Sequence, residues 1–249
     1  MLVPFLVSLA IRISSDGLHS TGGAAPLPRF ESPNRLLADD GRVSDNFGRA
    51  VATSGDRVVI GAPAAEISQG EGSFDSQGVA YVFVRNGDEW TQEAKLVANE
   101  GIPEEFFGRS VAISGDTIVV GTRFGPFGAN DIPGAAYVFT RQGSTWIEQA
   151  RLTASDAAAE DFFGTAVAIS GNTIAVGADG DDVGQNADQG SVYIFTGGGG
   201  SWTQRAKLTA ADAAANDGFG NALALSGGTL LVGVALSVLA AYLGGRNRA

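Results

Sequence analysis

Acidic residues recur in pairs along this chain, and the two members of each pair stand five positions apart. Each pair precedes a Phe-Gly dipeptide, and both positions are acidic in all four copies. Calcium takes carboxylate and carbonyl oxygens, so two carboxylates on one loop are candidate ligands for this cation. The alternative is a turn-forming role, in which the acids accept hydrogen bonds from backbone amides. The pairs are Asp40 and Asp45, Glu100 and Glu105, Asp156 and Asp161, and Asp212 and Asp217.

One copy carries a denser group of aspartates, in the segment GADGDDVGQNADQG. Asp179 and Asp181 alternate along it, and Asp188 is placed to close a site from the far end of the loop. The corresponding loops contain Glu66, Glu71 and Asp75 in the first copy and Asp131 in the second. A carboxylate-rich loop in a single copy indicates a local calcium site, with drift in an exposed acidic loop as the alternative. The candidate ligands are Asp179, Asp181, Asp182 and Asp188.

The composition removes several kinds of chemistry. The 249 residues contain no cysteine, which excludes disulfides, thiolate metal sites and cysteine nucleophiles. The only histidine, His19, precedes the repeated part, which therefore lacks the commonest general base and metal ligand. A net charge of -11 argues against a nucleic-acid partner, because phosphate contacts need a basic surface. Cations, sugars and protein surfaces remain as partners.

The elements that must position these acids form a repeat. Phe-Gly recurs at spacings of 60, 56 and 56 residues, a glycine follows each Phe by 14 residues, and each tryptophan precedes the next such Phe by 17. Such constant spacing predicts a repeat architecture. The Phe residues are Phe47, Phe107, Phe163 and Phe219, the glycines are Gly61, Gly121, Gly177 and Gly233, and the tryptophans are Trp90, Trp146 and Trp202.

Each repeat is predicted to contain four short antiparallel strands. The first two form a hairpin around a two-residue turn such as Gly55-Asp56, whose residues tolerate positive φ. The third is a continuous apolar run, VAYVFV at 79–84, which is typical of a strand covered on both faces. The repeated Phe is expected to fill the space between neighbouring units, while the Gly beside it admits a tight turn.

The fourth strand is predicted to alternate strictly between a buried and an exposed face. In the first copy this alternation places Trp90, Gln92, Ala94 and Leu96 on one face and Thr91, Glu93 and Lys95 on the other. Units of four short antiparallel strands are typical of β-propeller blades. The predicted fold class is therefore all-β, a β-propeller of four-stranded antiparallel blades with three complete repeats and a partial fourth.

Three segments carry a resemblance to a known family: FGRSVAISGDTIVVG at 107–121, GAAYVFTRQGSTWIEQARLTASD at 134–156 and FGTAVAISGNTIAVGAD at 163–179. They resemble bacterial FG-GAP repeat proteins, and the tripeptide GAP itself stands at 61–63. The resemblance implies a propeller related to the head of integrin α-chains, with an interaction role at the cell surface or outside the cell. Integrin-type repeats hold calcium between their first two strands. Here only a two-residue turn joins these strands, so that calcium site is not implied.

The two ends of the chain lie outside the regular pattern. Residues 1–28 form an apolar leader that resembles a secretion signal, followed by a linker. Residues 29–235 contain the repeats, approximately 36–96, 97–152, 153–208 and 209–235, with the last unit completed by residues 30–36 as an outer strand. This alignment predicts a closed four-bladed ring, with a fragment of a larger propeller as the alternative. Residues 236–249 form an apolar tail ending in arginines, either an abbreviated strand or a membrane anchor.

These observations predict a non-enzymatic extracellular or cell-surface binding or adhesion module, exported from a bacterial cell. Loops that vary between copies on a regular strand frame would recognise a protein or a glycan. A structural surface spacer without a ligand is one alternative. A hydrolase that uses the loop carboxylates is another, although the repeats contain no nucleophile motif. Calcium is the one candidate cofactor, and membrane contact is expected only if the tail is an anchor.

Overall fold

The computed structural model describes residues 35–69, 72–74, 76–123, 134–212 and 214–234. Within these ranges every regular element is a β-strand. The first unit contains β1 (Ala50–Ser54), β2 (Arg57–Ala62), the small strands β3 (Ile67–Gln69) and β4 (Gly72–Phe74), β5 (Val79–Asn86) and β6 (Glu89–Leu96). The described part of the chain has no helix long and apolar enough to span a membrane.

The later units repeat this plan. The second contains β7 (Ser110–Ser114), β8 (Thr117–Gly121), β9 (Ala136–Gln142) and β10 (Thr145–Leu152). The third contains β11 (Phe163–Ser170), β12 (Thr173–Ala178), β13 (Ser191–Gly198) and β14 (Ser201–Leu208), and the fourth contains β15 (Ala222–Ser226) and β16 (Thr229–Gly233). The antiparallel sheet orders are β1-β2-β5-β6, β7-β8-β9-β10, β11-β12-β13-β14 and β15-β16. The predicted four-stranded unit is thus confirmed three times, and the described residues of the fourth unit form two strands.

The units stack in chain order through their innermost strands, with β1 against β7, β7 against β11 and β11 against β15. Apolar side chains fill the interfaces between units. Between the first two units, Val59, Val82 and Leu96 of the first sheet pack with Phe107, which precedes the first strand of the second sheet. Phe107 and Phe163 are fully buried, which confirms the predicted packing role of the repeated Phe. Closure of the stack into a ring stays a prediction, because residues 30–34 and 236–249 lie outside the described residues.

The repeated glycines permit a close backbone approach between units. A Cβ on Gly61 would lie 2.0 Å from the carbonyl oxygen of Gly108 in the next unit, and one on Gly121 would lie 2.1 Å from that of Gly164. Gly108 itself has a φ of 89°, a conformation that favours glycine. The two glycine positions of the motif therefore meet across each interface, and a side chain at either one would push the sheets apart.

The predicted strict alternation of the fourth strand is wrong. In the first unit Gln92 pairs with Phe83 and Ala94 pairs with Val82, so Glu93 is the extra residue of a β-bulge. The bulge moves Ala94 and Leu96 to the face opposite Trp90 and Gln92, because one inserted residue reverses the side-chain phase. The same bulge recurs at Gln149 in β10 and at Arg205 in β14.

The end of the fourth strand is more exposed in the third sheet than in the first two sheets. The exposed fraction of the last Leu of the fourth strand is 3% at Leu96 and 5% at Leu152, but 38% at Leu208. Leu231 on β16 is 68% exposed. Leu208 lies where the outer strands of a complete fourth unit would pack, which agrees with the two-stranded fourth sheet seen among the described residues. Leu231 is the equivalent of Val59 and Val119, which pack against the Phe of the following unit.

Candidate functional site

The second acid of each repeated pair closes the turn that leads into the Phe-Gly dipeptide. Its carboxylate accepts a hydrogen bond from the backbone N–H three residues earlier. The bonds run to Asp45 from Arg42 at 2.7 Å, to Glu105 from Ile102 at 3.2 Å, to Asp161 from Ala158 at 2.7 Å and to Asp217 from Ala214 at 2.7 Å. The first three of these acids are buried. The turn-forming role proposed for the acids is therefore what these four carboxylates perform.

In the first unit, the first acid of the pair joins two neighbouring strands instead. Asp40 accepts hydrogen bonds from the hydroxyl of Tyr81 at 2.9 Å and from Lys95 Nζ at 2.6 Å. Tyr81 on β5 and Lys95 on β6 are directly paired across the sheet. Burial opposes ionisation of Asp40, but the bonds from Lys95 and Tyr81 outweigh it and hold the pKa below its ordinary value.

The third unit repeats this arrangement with two carboxylates. Lys207 Nζ lies 2.7 Å from Asp156 Oδ2 and 2.8 Å from Asp181 Oδ2, and it is paired with Tyr193 across the sheet. Asp181 is buried and also accepts hydrogen bonds from Ser191 Oγ and from the hydroxyl of Tyr193. Burial opposes the charge on Lys207, but the bonds to Asp156 and Asp181 dominate and raise its pKa.

In the second unit, the corresponding network contains the second acid of the pair, Glu105, instead of the first. The hydroxyl of Tyr137 donates to Glu105 at 2.5 Å, and Arg151 Nε donates to the Tyr137 oxygen at 3.2 Å. Burial raises the pKa of Glu105, and the Tyr137 hydrogen bond only partly opposes this effect. Glu100 is exposed, as is Asp212 before the fourth unit. The paired acids thus have different partners in different copies.

These networks of tyrosine, cation and carboxylate were missed by sequence reasoning. A usable signal was present, because a tyrosine recurs in AYVF, AYVF and VYIF, and a basic residue precedes the final leucine of each fourth strand. The residues are Tyr81, Tyr137 and Tyr193 with Lys95, Arg151 and Lys207. Each network fastens the two outer strands of a sheet to the acidic loop, and we interpret it as part of the frame.

Three of the four loop aspartates of the third unit, Asp179, Asp181 and Asp182, accept hydrogen bonds from different groups. Asp179 Oδ2 accepts from Asn221 Nδ2 at 2.7 Å, and Asp182 Oδ1 accepts from the backbone N–H of Asp188 at 2.9 Å. Asp181 instead forms an ion pair with Lys207. The described residues contain no group of three or more acidic or histidine side chains arranged to hold a metal ion. Calcium binding by this loop or by the paired acids stays a prediction.

The family model described as FG-GAP repeat matches four segments, residues 31–83, 90–139, 146–195 and 202–239. The matched segments together make up more than half of the sequence. The second and third matches begin at the tryptophan of one outer strand and end on the third strand of the next sheet, so the sequence repeat straddles two structural units. No curated protein sequence matches the chain.

Proposed function

The chain belongs to the FG-GAP repeat family, and from this premise we propose that it is a non-enzymatic recognition module that acts outside the cell or at its surface. Its ligand is a protein or a glycan, bound by the loops at one end of the stacked sheets. Export by the apolar segment at the N-terminus is part of this proposal. The proposal rests on the difference between the constant turns at one end of the sheets and the variable loops at the other end.

The two ends of the sheets differ in how far they repeat. At one end, two-residue turns join the first and second strands in every unit, as at Gly55-Asp56 and Gly171-Asn172. At the other end, the connection from the second to the third strand changes from unit to unit. It contains the β3-β4 hairpin in the first unit and a short bridge between Val183 and Asn186 in the third. A constant frame with variable loops at one end is the usual design of a binding scaffold.

A non-enzymatic role is favoured by the way the carboxylates are used. General acid–base catalysis needs a carboxyl group within reach of a substrate proton. Asp45, Glu105 and Asp161 are instead buried in turns, and Asp40 and Asp156 are held by lysines. These bonds serve the frame. A hydrolase would be supported if a bound glycan were cleaved and Asp182→Asn abolished the cleavage.

The proposal can be tested by blocking either end of the molecule. The chain has no cysteine, so a single introduced thiol can carry a bulky maleimide-linked polymer. Gln185→Cys places the polymer on the variable end of the third unit, and Asn172→Cys places it on the turn at the opposite end; both side chains are exposed. Binding to a panel of purified glycans and proteins is then measured for both conjugates.

We expect the polymer at position 185 to abolish binding and the polymer at position 172 to leave it intact. The reverse pattern would contradict recognition by the variable loops. Failure to bind any member of the panel would favour the alternative of a structural surface spacer. Export is tested separately, by locating the protein in cells that express the full chain with and without residues 1–28.

A further inference from the structure

The contacts between neighbouring units repeat one pattern of apolar packing. On the face of a unit that meets the next unit, the second strand presents an apolar side chain at a fixed position. This side chain is fully buried at Val59, Val119 and Ala175. It packs with the repeated Phe of the next unit, as Val59 packs with Phe107. Its equivalent in the fourth unit, Leu231, is 68% exposed. We call the exposed face of β15 and β16, which carries Ala222, Ala224 and Leu231, the fourth-unit surface.

A ladder of hydrogen bonds runs through the same contacts. The last serine of each innermost strand accepts a hydrogen bond from the backbone N–H of the turn glycine in the next unit. The bonds run to Ser54 from Gly115 at 3.1 Å, to Ser114 from Gly171 at 3.3 Å and to Ser170 from Gly227 at 3.1 Å. Ser226 holds the acceptor position of the fourth unit and is exposed, and Gly55 is the turn glycine of the first unit. The contact is therefore directional, with the acceptor on one unit and the donor on the next.

The first unit presents the opposite half of this contact. Val51 and Thr53 on β1 hold the positions of Val111 and Ile113, which pack against the preceding unit and are each 8% exposed. Val51 is only partly buried, and Thr53 is exposed. The repeated Phe of this unit, Phe47, is also only partly buried, unlike its two fully buried equivalents. We call the face formed by Phe47, Val51 and Thr53 the first-unit surface.

The chain itself covers the outer part of this side of the first unit. Leu36 is buried in one cluster with Phe47, and the backbone N–H of Asp39 donates to Gln92 Oε1 at 3.1 Å. The equivalent bonds of the later units run from Asn99 to Glu148 at 2.8 Å and from Ser155 to Gln204 at 3.0 Å. Residues 36–39 therefore lie where the outer strand of a preceding unit would end. The described residues contain no inner strands beside this segment, and β15 and β16 are a pair of inner strands without outer ones.

The two surfaces are complementary, and within one chain they do not cover each other. Leu231 and Thr53 are both exposed, so the fourth unit does not pack on the first in the structure. Neither β15 nor β16 contains a charged residue, so no charge on these strands opposes burial of the fourth-unit surface. Covering exposed apolar side chains of this kind gains free energy.

We propose that the fourth-unit surface of one copy of this chain binds the first-unit surface of a second copy. Leu231 then packs against Phe47 of the second copy, in the way that each repeated Phe packs within the chain, and Ser226 accepts a hydrogen bond from Gly55. The strands β15 and β16 supply the inner part of a unit whose outer part is residues 36–39 of the second copy. Because the two surfaces differ, the contact is heterologous and joins copies into a ring or an open chain.

The test measures the mass of the full chain by analytical ultracentrifugation from about 1 to 100 μM, which brackets contacts of micromolar affinity. Leu231→Arg blocks the fourth-unit surface and Thr53→Arg blocks the first-unit surface. Both side chains are exposed in the single chain, so neither change should disturb the fold. Ile147→Arg is the matched control, because it places the same charge at an exposed apolar residue on the outer strand of the second unit. Circular dichroism melting checks that each variant is folded.

We expect the unaltered protein and Ile147→Arg to form dimers or longer assemblies as the concentration rises. Each surface variant by itself should stay monomeric, because an unpaired charge buried in the contact weakens it by roughly tenfold or more. An equimolar mixture of Leu231→Arg and Thr53→Arg should form a dimer and nothing larger, since one variant keeps an intact first-unit surface and the other an intact fourth-unit surface.

A monomeric unaltered protein at every concentration would overturn the inference and would favour closure of the units within one chain. Association that persists in either surface variant alone would overturn it as well. Persistence in Thr53→Arg only would indicate that two fourth-unit surfaces bind each other, and persistence in both variants would place the contact elsewhere on the chain. Failure of the mixed variants to dimerise, when each by itself is folded and monomeric, would equally contradict the pairing of these two surfaces.

Discussion

Replacement of Phe107 by alanine measures how strongly the repeated Phe holds neighbouring units together. The ring is fully buried, and it lies 5.5 Å from the ring of Tyr137 and 5.9 Å from that of Phe139 in edge-to-face geometry. A Phe→Ala change in a packed core costs about 3–5 kcal/mol. Two aromatic pairs at about 0.5–1.5 kcal/mol each account for part of that cost. We therefore expect Phe107→Ala to lower the free energy of unfolding by about 4 kcal/mol.

The fourth unit supplies a matched control. Phe219 occupies the same position of the repeat, but it is partly exposed and belongs to the two-stranded sheet. The ring pairs found at Phe47, Phe107 and Phe163 use tyrosine and phenylalanine of the third strand, an element that the described residues of the fourth unit lack. We expect Phe219→Ala to cost only about 1–2 kcal/mol, from reduced burial alone.

Urea unfolding of the unaltered protein and both variants distinguishes these values. Tryptophan fluorescence and far-UV circular dichroism should be recorded together, since coincident curves justify a single free energy of unfolding. Equal losses in Phe107→Ala and Phe219→Ala would refute the reasoning, because the cost would then not depend on packing between complete units. A loss below about 1 kcal/mol at Phe107 would refute it as well, being far under the range for a buried ring.

Three further predictions follow from other contacts. Glu93 accepts hydrogen bonds from Arg57 at 2.8 and 2.9 Å and from Trp146 of the next unit at 3.1 Å, so Glu93→Gln should cost about 1–3 kcal/mol at neutral pH. Because the Arg57 bonds hold the pKa of Glu93 below its ordinary value, this difference should vanish as the pH falls through that lowered pKa in acid unfolding curves. A Cβ at Gly121 would meet the Gly164 carbonyl at 2.1 Å, so Gly121→Ala should lower the melting temperature sharply, whereas Gly228→Ala, whose Cβ meets nothing within 4 Å, should leave it nearly unchanged. Equal melting of the two glycine variants would contradict a close approach between units. Melting in calcium and in chelator tests the predicted calcium site: a rise in calcium that Asp182→Asn removes would confirm it, and equal melting temperatures would contradict it.

The repeating frame could be predicted from the sequence because the turns and apolar runs that produce it are local features. A two-residue turn with Gly at its first position specifies a hairpin, and the apolar run of the third strand specifies a covered element. The third strand of the first unit, predicted at 79–84, begins at the predicted residue and extends to Asn86. The small β3-β4 hairpin at Ile67–Gln69 and Gly72–Phe74 was missed, since the sequence of this loop is not part of the repeat pattern.

The roles of the acidic residues in the candidate site were harder to predict from the sequence. The sequence shows that Asp40 and Asp45 are both acidic, but their roles depend on which strands face the loop. Asp45 closes a turn, whereas Asp40 reaches Tyr81 and Lys95, which lie 41 and 55 residues further along the chain. Contacts of this length depend on the register of two strands and on the position of the loop beside them. The sequence alone left the turn-forming and metal-binding roles open for this reason.

The sequence by itself determined the repeat, its four-strand unit and the packing role of Phe107 and its equivalents, because turn chemistry and apolar patterning act over a few residues. Only the tertiary structure decided where the charges meet. The bulge at Glu93 reverses the phase of its strand and turns this carboxylate toward Arg57 and Trp146. The folded chain brings Asp156 and Lys207, 51 residues apart in sequence, into an ion pair at 2.7 Å. Coulomb forces depend on distance in space, and the spacing of residues along a chain does not fix that distance until the sheets have packed.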